Sequence, residues 1–252
     1  MTQWLICIDD TDDIGTKGTG EIAQEIGQLL MDYCQQHGIV SSVSAVTRHQ
    51  LFVHPDIPYT SHNSAMCFEL VADIEQAIIY ELAVAHLITE SAAKADPGIA
   101  ILNLSTPFDQ QALIDFGLSA KQQVKTKQQA YELAQSQQLS LTEHGGTGQG
   151  VIGAIAGIGL RLFGNDGRVK GQVHFAGLDK KSDKQLTVAD IIAKSMVDKV
   201  MDLEGAILTD DQVIDLSGKV KAVYHQHQYT LLVYRDEQKT WCNALKQHLK
   251  QY

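Results

Sequence analysis

The pattern of apolar and polar residues is most distinctive near the N-terminus, where an apolar run leads directly into acidic residues. Residues 4–8 read Trp-Leu-Ile-Cys-Ile, and four carboxylates follow within five positions, at Asp9, Asp10, Asp12 and Asp13. An apolar run bounded by polar residues is typical of a buried strand. Open α/β sheets place their ligand crevices at the carboxyl ends of strands, so the pattern predicts an acidic sheet edge that faces a ligand. The alternative is a solvated acidic turn.

Regular periodicities predict further elements along the chain. Apolar residues recur every three or four positions from Glu21 to about His37, and Gly38 ends this predicted helix. The same criteria predict strands at 43–48, 65–71 and 99–104, and helical sequence at 74–94 and 110–138. These elements predict a mixed α/β (α+β) fold in which helices cover a layered mixed sheet.

The pattern changes after the turn residues 164–167. Beyond them, a strand is predicted at 173–176, a helix from Thr187 to about Met201, a hairpin at 219–225 and 228–234, and a terminal helix from about Gln238. Thr187 and Asp190 have a spacing like that of a capping box. We therefore expect a domain at 1–165 and a small α+β domain at 166–252, which either completes a cleft or serves as an oligomerisation module. A homo-oligomer is one expectation.

Composition narrows the class of protein. The 252 residues are 44% hydrophobic and 20% charged, which is ordinary for a folded protein, and the net charge of −10 argues against a general nucleic-acid binder. Lys121, Lys125 and Lys127 are interpreted as a solvated face. The four cysteines are scattered, no apolar stretch is long enough to span a membrane, and no signal peptide is evident. These features predict a cytoplasmic protein without a membrane partner.

Two glycine-rich segments are candidate phosphate-binding loops. Residues 17–20 precede the first predicted helix, and glycine fills seven of the fifteen positions from 145 to 159. The unpaired N–H groups at a helix N-terminus attract anions. Neither segment matches a Walker motif or a Rossmann fingerprint, since no strand is expected to lead into the second. The second part of the 145–159 segment predicts a helix that packs closely on a neighbour. The predicted nucleotide-binding residues are Lys17, Gly18, Thr19, Gly146, Gly148 and Gly150.

The four carboxylates of Asp9, Asp10, Asp12 and Asp13 together form a candidate catalytic and metal-binding group. Carboxylates this close in sequence repel one another unless a cation lies among them, and Mg²⁺ is the usual hard cation for such a set. Followed by a glycine-rich loop, the acidic run predicts a metal–nucleotide or metal–phosphate site.

The loop at 54–64 is the candidate substrate-binding segment. It contains two of the four prolines and several hydrogen-bonding side chains. Loops on a rigid scaffold often carry binding groups, so His54, Tyr59 and Asn63 are predicted to contact a substrate. A stiff surface connection is the equally supported alternative.

Four stretches, in the same order along the chain, resemble the archaeal isoleucine-tRNA agmatinylcytidine synthetase family. They are Ile-Asp-Asp-Thr-Asp at 8–12, Pro-Asp-Ile-Pro-Tyr at 55–59 with Asn63 and Ala65, Asp-Pro-Gly at 96–98, and Gly-Gln-Gly-Val-Ile-Gly-Ala at 148–154. The resemblance covers about residues 4–160, which correspond to that family's kinase-like catalytic domain.

The resemblance implies an ATP-dependent enzyme that phosphorylates a carbonyl oxygen and lets an amine displace the phosphate. It implies that Asp9, Asp10 and Asp12 hold Mg²⁺ and position the triphosphate. It also implies that Thr19 matches a functional threonine of the family, and that Gly148, Gly150 and Gly153 match the glycine-rich segment near the phosphates.

The chain also departs from this family. The OB module and cysteine zinc ribbon of the family have no counterpart, which together with the acidic net charge disfavours tRNA and predicts a small-molecule acceptor. Two other classes stay open. One is a haloacid-dehalogenase-like phosphohydrolase with Asp10 as its nucleophile, and the other is a non-catalytic protein that binds a nucleotide or metabolite in the same cleft.

Overall fold

The computed structural model describes residues 1–57, 63–177 and 185–252. These residues contain thirteen strands and six helices, a mixed α/β fold as the sequence predicts. They form two compact units, Met1–Phe163 and Gly164–Tyr252. No helix in the described ranges is long and apolar enough to cross a membrane.

The N-terminal unit is built on an antiparallel sheet. Its strands are β1 (Gln3–Asp9), β2 (Ser41–Val43), β3 (Thr47–Gln50), β4 (Ser64–Ala72), β5 (Gly98–Asn103) and β6 (Ser140–Glu143). Its helices are α1 (Thr19–Gln36), α2 (Gln76–Glu90), α3 (Gln110–Ala120), α4 (Lys127–Ser136) and α5 (Gly150–Phe163). The strand order is β6-β5-β1-β4-β3, and β2 also pairs with β4.

Strand β1 lies in the middle of this sheet and runs antiparallel to both neighbours. Cys7 is opposite Cys67 of β4 and Ala100 of β5. The acidic run follows a buried strand, as the sequence predicts, because β1 is buried from Trp4 to Asp9. A continuous apolar run requires only that both faces be covered, and an antiparallel sheet between helices also meets that requirement.

Two cores explain why β1 is apolar at every position from Trp4 to Ile8. Ile6 and Ile8 belong to a core shared with α1 and α2, whereas Leu5 and Cys7 belong to a core shared with α3, α4 and α5. Because successive side chains of a strand point to opposite faces, each core takes alternate residues of β1.

Helix α5 lies very close to its neighbours because its contact positions are glycines. A Cβ added at Gly157 would lie 2.3 Å from Sγ of Cys7, and one at Gly159 would lie 1.9 Å from the carbonyl oxygen of Leu113 in α3. The predicted close packing of a small-residue helix is confirmed.

Three predicted elements of this unit need correction. The strand expected at 43–48 divides into β2 and β3. The helical sequence expected at 110–138 divides into α3 and α4, because Thr126 starts a new helix through a capping box with Gln129. A strand does precede the glycine-rich segment, since β6 pairs with β5. It was missed because an edge strand of four residues has little apolar pattern.

The strands of the C-terminal unit pair in both parallel and antiparallel orientation. Its strands are β7 (Arg168–Val169), β8 (Gln185–Thr187), β9 (Lys199–Asp202), β10 (Val213–Asp215), β11 (Ala222–His225), β12 (Gln228–Arg235) and β13 (Trp241–Asn243), and its helix is α6 (Val188–Lys194). Strands β9 and β12 are parallel, as are β10 and β13, and the other described pairs are antiparallel.

The hairpin and the helix start predicted in this unit are confirmed. Gln226 and His227 turn the β11–β12 hairpin with φ of 52° and 59°. The Asp190 N–H donates to Oγ1 of Thr187 at 3.1 Å, which caps α6.

Three other predictions for this unit are wrong. Residues 173–176 are not a strand, although the N–H of Val173 donates to the carbonyl of Val220. Helix α6 ends at Lys194, and the buried residues that follow form β9. The segment after Gln238 forms β13 rather than a helix. Short amphipathic runs fit helix and strand periodicity equally well, so pairing with neighbouring strands determines which conformation they adopt.

Candidate functional site

A cleft at the end of β1 is the candidate site. It encloses about 730 Å³, open space at its mouth included. Its lining includes the residues that follow β1, the start of α1, the loop after β3, the α3–α4 connection and the start of α5. Five parts of the N-terminal unit, from Asp9 to Gly153 along the chain, therefore meet there.

The three predicted aspartates, Asp9, Asp10 and Asp12, all line this cleft. Burial, followed by the charge of Asp10, raises the pKa of Asp9 well above its ordinary value. Burial, followed by the charges of Asp96 and Asp12, raises the pKa of Asp10 to about 6. Asp10 also has a left-handed backbone with φ of 52°, which turns the chain away from β1. The negative charge gathered here favours a cationic ligand.

Thr19 joins the start of α1 to the acidic run. Its Oγ1 donates a hydrogen bond of 2.8 Å to a carboxylate oxygen of Asp12, and Thr19 itself lines the cleft. Gly18 is the N-cap residue of α1 and is not among the lining residues. Asp13 forms a local turn with Thr16 and also lies outside the lining.

Lys17 does not line the cleft, because two glutamates hold it. Its Nζ donates to Oε1 of Glu25 at 2.8 Å and to Oε2 of Glu90 at 2.6 Å. These hydrogen bonds raise the pKa of Lys17. The same Glu25 contacts Nε2 of His86 at 2.7 Å. Lys17 thus connects α1 with α2.

The predicted phosphate loop at 145–150 closes on a carboxylate of the chain itself. Asp96 accepts hydrogen bonds from the N–H of Thr147 at 2.8 Å, from its hydroxyl, and from the N–H of Gln149 at 3.3 Å. Hydrogen bonds from Thr147 and Gln149 lower the pKa of Asp96, against its partial burial. The carbonyl of Asp96 accepts from the N–H of Gly150 at 3.1 Å.

Gly146 and Gly148 make this wrapping possible. Both have positive φ, of 52° and 74°, and a Cβ at Gly146 would lie 1.4 Å from Oδ1 of Asp96. Lys127 secures the loop from the other side, donating to the carbonyl of Thr147 at 2.8 Å and pairing with Glu143. Of the three glycines of this loop that the sequence predicts to bind nucleotide, Gly150 lines the cleft, and Gly146 and Gly148 do not.

The predicted substrate loop contributes in part. Asn63 lines the cleft, and its Nδ2 donates to the carbonyl of Phe52 at 2.6 Å. His54 stacks on Phe52 with ring centres 5.3 Å apart and is not a lining residue. Asp56 and Ile57 do line it. Tyr59 lies outside the described residues.

Sequence reasoning missed the wall formed by the α3–α4 connection. Gln123, Val124 and Lys125 line the cleft, as does Gln149 before α5. The sequence predicts helical structure throughout 110–138 and a solvated face for its lysines. The Thr126-to-Gln129 capping pattern was the signal that could have separated α3 from α4.

The aspartates do not form a complete metal cage by themselves. In the part of the chain that the structure describes, no three His, Cys, Asp or Glu side chains converge closely enough to hold a metal ion. Mg²⁺ is often held by one or two carboxylates, with phosphate oxygens and water completing its six ligands. The donor set therefore fits a magnesium ion that a phosphate group helps to hold.

Comparison with known proteins shows the class of fold. No family model matches the sequence, and no curated protein matches it. Solved structures of enzymes named for tRNA are similar to this chain, and they share its mixed α/β fold. A tRNA fluorescent labeling enzyme is similar with a TM-score of 0.53 and 22% identity, over 62% of this chain and 36% of that chain.

Structures of TiaS, an agmatidine synthetase named for an isoleucine tRNA, are also similar. The complex of TiaS with its tRNA and ATP matches with a TM-score of 0.52 and 21% identity, over 63% of this chain and 36% of that one. The complex of TiaS with tRNA, AMPCPP and agmatine matches with a TM-score of 0.51 and 16% identity, over 75% and 43%. The chain thus spans less than half the length of these structures. It has a TiaS-like fold, which confirms the fold implied by the sequence resemblance.

Proposed function

We propose that the N-terminal unit is the nucleotide-binding domain of a Mg-ATP-dependent enzyme with kinase-like and ligase-like chemistry. The enzyme transfers the terminal phosphoryl group of ATP to a carbonyl oxygen of its substrate, and an amine then displaces the phosphate. The observation that carries this proposal is the cleft in which Asp9, Asp10, Asp12 and Thr19 meet the start of α5. The TiaS-like fold supports it, since ATP and agmatine are bound in structures of TiaS itself.

The chain's own residues have separable roles in this proposal. One or two of the carboxylates of Asp9, Asp10 and Asp12 would hold Mg²⁺ together with phosphate oxygens, and the ion would neutralise the charge that develops on the phosphates during transfer. Thr19 fixes the carboxylate of Asp12 through its hydrogen bond. We assign Asn63 to the acceptor and not to the nucleotide, because it lines the cleft from a loop without a cluster of glycine N–H groups.

We propose a small molecule as the acceptor. The net charge of −10 supports this choice, because binding to tRNA depends on neutralising phosphates with basic side chains. The acceptor carries the carbonyl group that is phosphorylated, and the second substrate is an amine.

Thermal unfolding with nucleotide tests the proposal. Millimolar Mg-ATP should raise the Tm of the wild-type protein, because a ligand that binds only the folded state stabilises it. Asp10→Asn should lose most of that rise, since it removes one carboxylate from the metal-binding set. Asn63→Ala should keep the rise and lose turnover with acceptor and amine. If Asn63→Ala lost the Tm rise with Mg-ATP as well as turnover, its assignment to the acceptor would be contradicted.

Product analysis separates this function from its alternatives. ADP and phosphate released in equal amounts only when acceptor and amine are present would indicate the proposed enzyme. Stabilisation by Mg-ATP without turnover of any candidate would favour a non-catalytic binding protein. Hydrolysis of a phosphate ester without ATP would favour a phosphohydrolase with Asp10 as nucleophile. No response of Tm to ATP or Mg²⁺ would overturn the nucleotide proposal.

A further inference from the structure

The cleft has many negative charges and few positive ones to meet a polyphosphate. Asp9, Asp10, Asp12 and Asp56 all line it. A bound Mg²⁺ ion offsets only part of the charge of a triphosphate and these carboxylates together. Nucleotide sites therefore usually add a lysine or arginine that contacts the phosphates directly.

The phosphate-binding groups that the sequence suggests are engaged elsewhere. Lys17 is held by Glu25 and Glu90 at 2.8 Å and 2.6 Å. Lys127 pairs with Glu143 and donates to the carbonyl of Thr147. The N–H groups of Thr147 and Gln149 donate to Asp96. Using any of these for phosphate would require breaking an existing hydrogen bond or ion pair.

Lys125 is differently placed. Among the described residues that line the cleft, it is the one that carries a positive charge. It lies on the α3–α4 connection, half-buried between the exposed residues Val124 and Thr126. Its Nζ lies 5.5 Å from the centre of the Phe116 ring in α3. That cation–π contact steadies the side chain without neutralising its charge.

We propose that Lys125 contacts the phosphate groups of the bound nucleotide. This inference rests on the proposed function and adds the residue that recognises the anionic part of the ligand. The α3–α4 connection then acts as a phosphate-binding wall of the cleft. The ligand class it selects is a nucleoside polyphosphate, in preference to the nucleoside alone.

Binding measurements on the full chain test this role. Isothermal titration with Mg-ATP and with adenosine should be compared for wild type, Lys125→Gln and Lys125→Arg. Because a charge-assisted hydrogen bond contributes ~1.5–3 kcal/mol, Lys125→Gln should weaken Mg-ATP binding about tenfold or more. Adenosine binding should stay within twofold of wild type. Lys125→Arg keeps the charge and should recover most of the affinity for Mg-ATP.

Lys121→Gln is the matched control. Lys121 lies on the same connection, is also half-buried and does not line the cleft, so its substitution should leave Mg-ATP affinity unchanged. If wild type binds Mg-ATP and Lys125→Gln binds it equally well, the role of Lys125 is overturned while the proposed function stands. If Lys125→Gln bound Mg-ATP and adenosine with equally reduced affinity, Lys125 would only shape the cleft, and its proposed contact with phosphate would also be overturned. If wild type binds no Mg-ATP, the proposed function and this inference both fail.

Discussion

Asp10 combines two features that are unfavourable for the folded protein. Its backbone has φ of 52°, a region that few residues other than glycine occupy, although aspartate and asparagine enter it more readily than most. Its carboxylate is partly buried near Asp96 and Asp12, which raises its pKa to about 6. Strained backbone and perturbed charge occur together at functional sites, where a ligand offsets them. Asp10 is thus better suited to the ligand-bound protein than to the free one.

Asp10→Asn should therefore stabilise the ligand-free protein. The pKa of Asp10 is about 6 in the folded state and 3.8 in the unfolded state. Between about pH 6 and pH 4, the Asp10 carboxyl is protonated in the folded protein and still ionised in the unfolded chain. The contribution of Asp10 to wild-type stability therefore rises as the pH falls from about 6 to about 4. The asparagine side chain carries no charge, so it avoids the cost of burying a carboxylate near Asp96 and Asp12, and asparagine tolerates the same φ. We expect a gain of about 1 kcal/mol at pH 7, reduced by solvent screening, that disappears near pH 4.

Urea unfolding at several pH values measures this effect. Asp13→Asn is the control, because Asp13 belongs to the same acidic run and does not line the cleft. It should be no more stable than wild type at pH 7. A lower stability of Asp10→Asn than of wild type at pH 7 would contradict the argument.

For single residues, the sequence predicts which acidic side chains line the cleft better than it predicts which basic ones do. Asp9, Asp10 and Asp12 are adjacent in sequence, so one strand end brings all of them to the cleft. Lys17 is just as close in sequence, yet Glu25 and Glu90 hold it, and Glu90 is 73 positions away. Which lysine faces the cleft depends on such distant partners, and local pattern does not encode them.

Among the elements, α5 determines the geometry of the site. Its first turn lines the cleft, and its glycines let it lie directly on β1 and α3. A Cβ at Gly153 would lie 1.7 Å from Oδ2 of Asp9. The absence of a side chain at Gly153 is what leaves room for the buried carboxylate.

Gly153→Ala should therefore damage both stability and the site. The new methyl group must displace Asp9 or push α5 away from β1, and such overpacking costs about 1–3 kcal/mol. Gly18→Ala is the stability control, because a Cβ there meets no atom within 4 Å and the change at an N-cap costs under about 1 kcal/mol. Chemical denaturation compares the two variants. If Gly153→Ala were as stable as Gly18→Ala, the close contact with Asp9 would not be real.

The sequence predicts the long elements and misjudges the short ones. Helices α1 and α2 and strands β1, β4 and β5 lie within a few residues of their predicted bounds, because each buries a long periodic pattern. Strands β6, β9 and β13 have three or four residues each and were missed. Their conformation comes from pairing with distant strands, which tertiary structure decides and local propensity does not.

On the scale of the whole molecule, the candidate site belongs to one unit. Every described residue that lines the cleft falls between Asp9 and Gly153, within the N-terminal unit. The C-terminal unit has its own buried cluster, which includes Val223 and Leu232. Nucleotide binding should therefore depend on the cores of the N-terminal unit and not on the buried cluster of the C-terminal unit.

Leu232→Ala tests this separation. Leu232 is 1% exposed, and removing a buried leucine side chain costs about 2–4 kcal/mol. We expect faster hydrogen exchange in β12 and a Kd for Mg-ATP within twofold of wild type. Leu102→Ala is the counterpart in β5, where the residue is also 1% exposed, and it should weaken binding as well as stability. A large loss of affinity in Leu232→Ala alone would contradict the assignment of the site to one unit.

The distribution of the cleft residues along the chain also has a consequence for folding. Asp9 ends the first strand of the N-terminal unit, and Gly153 lies in its last helix. Contacts between such distant segments form only after the loops between them have closed, which makes them late events in folding. A nascent chain therefore has no cleft until α5 has been synthesised and has docked on β1. Nucleotide binding would then report that the whole unit has folded, and nucleotide would slow unfolding without guiding the early steps of folding.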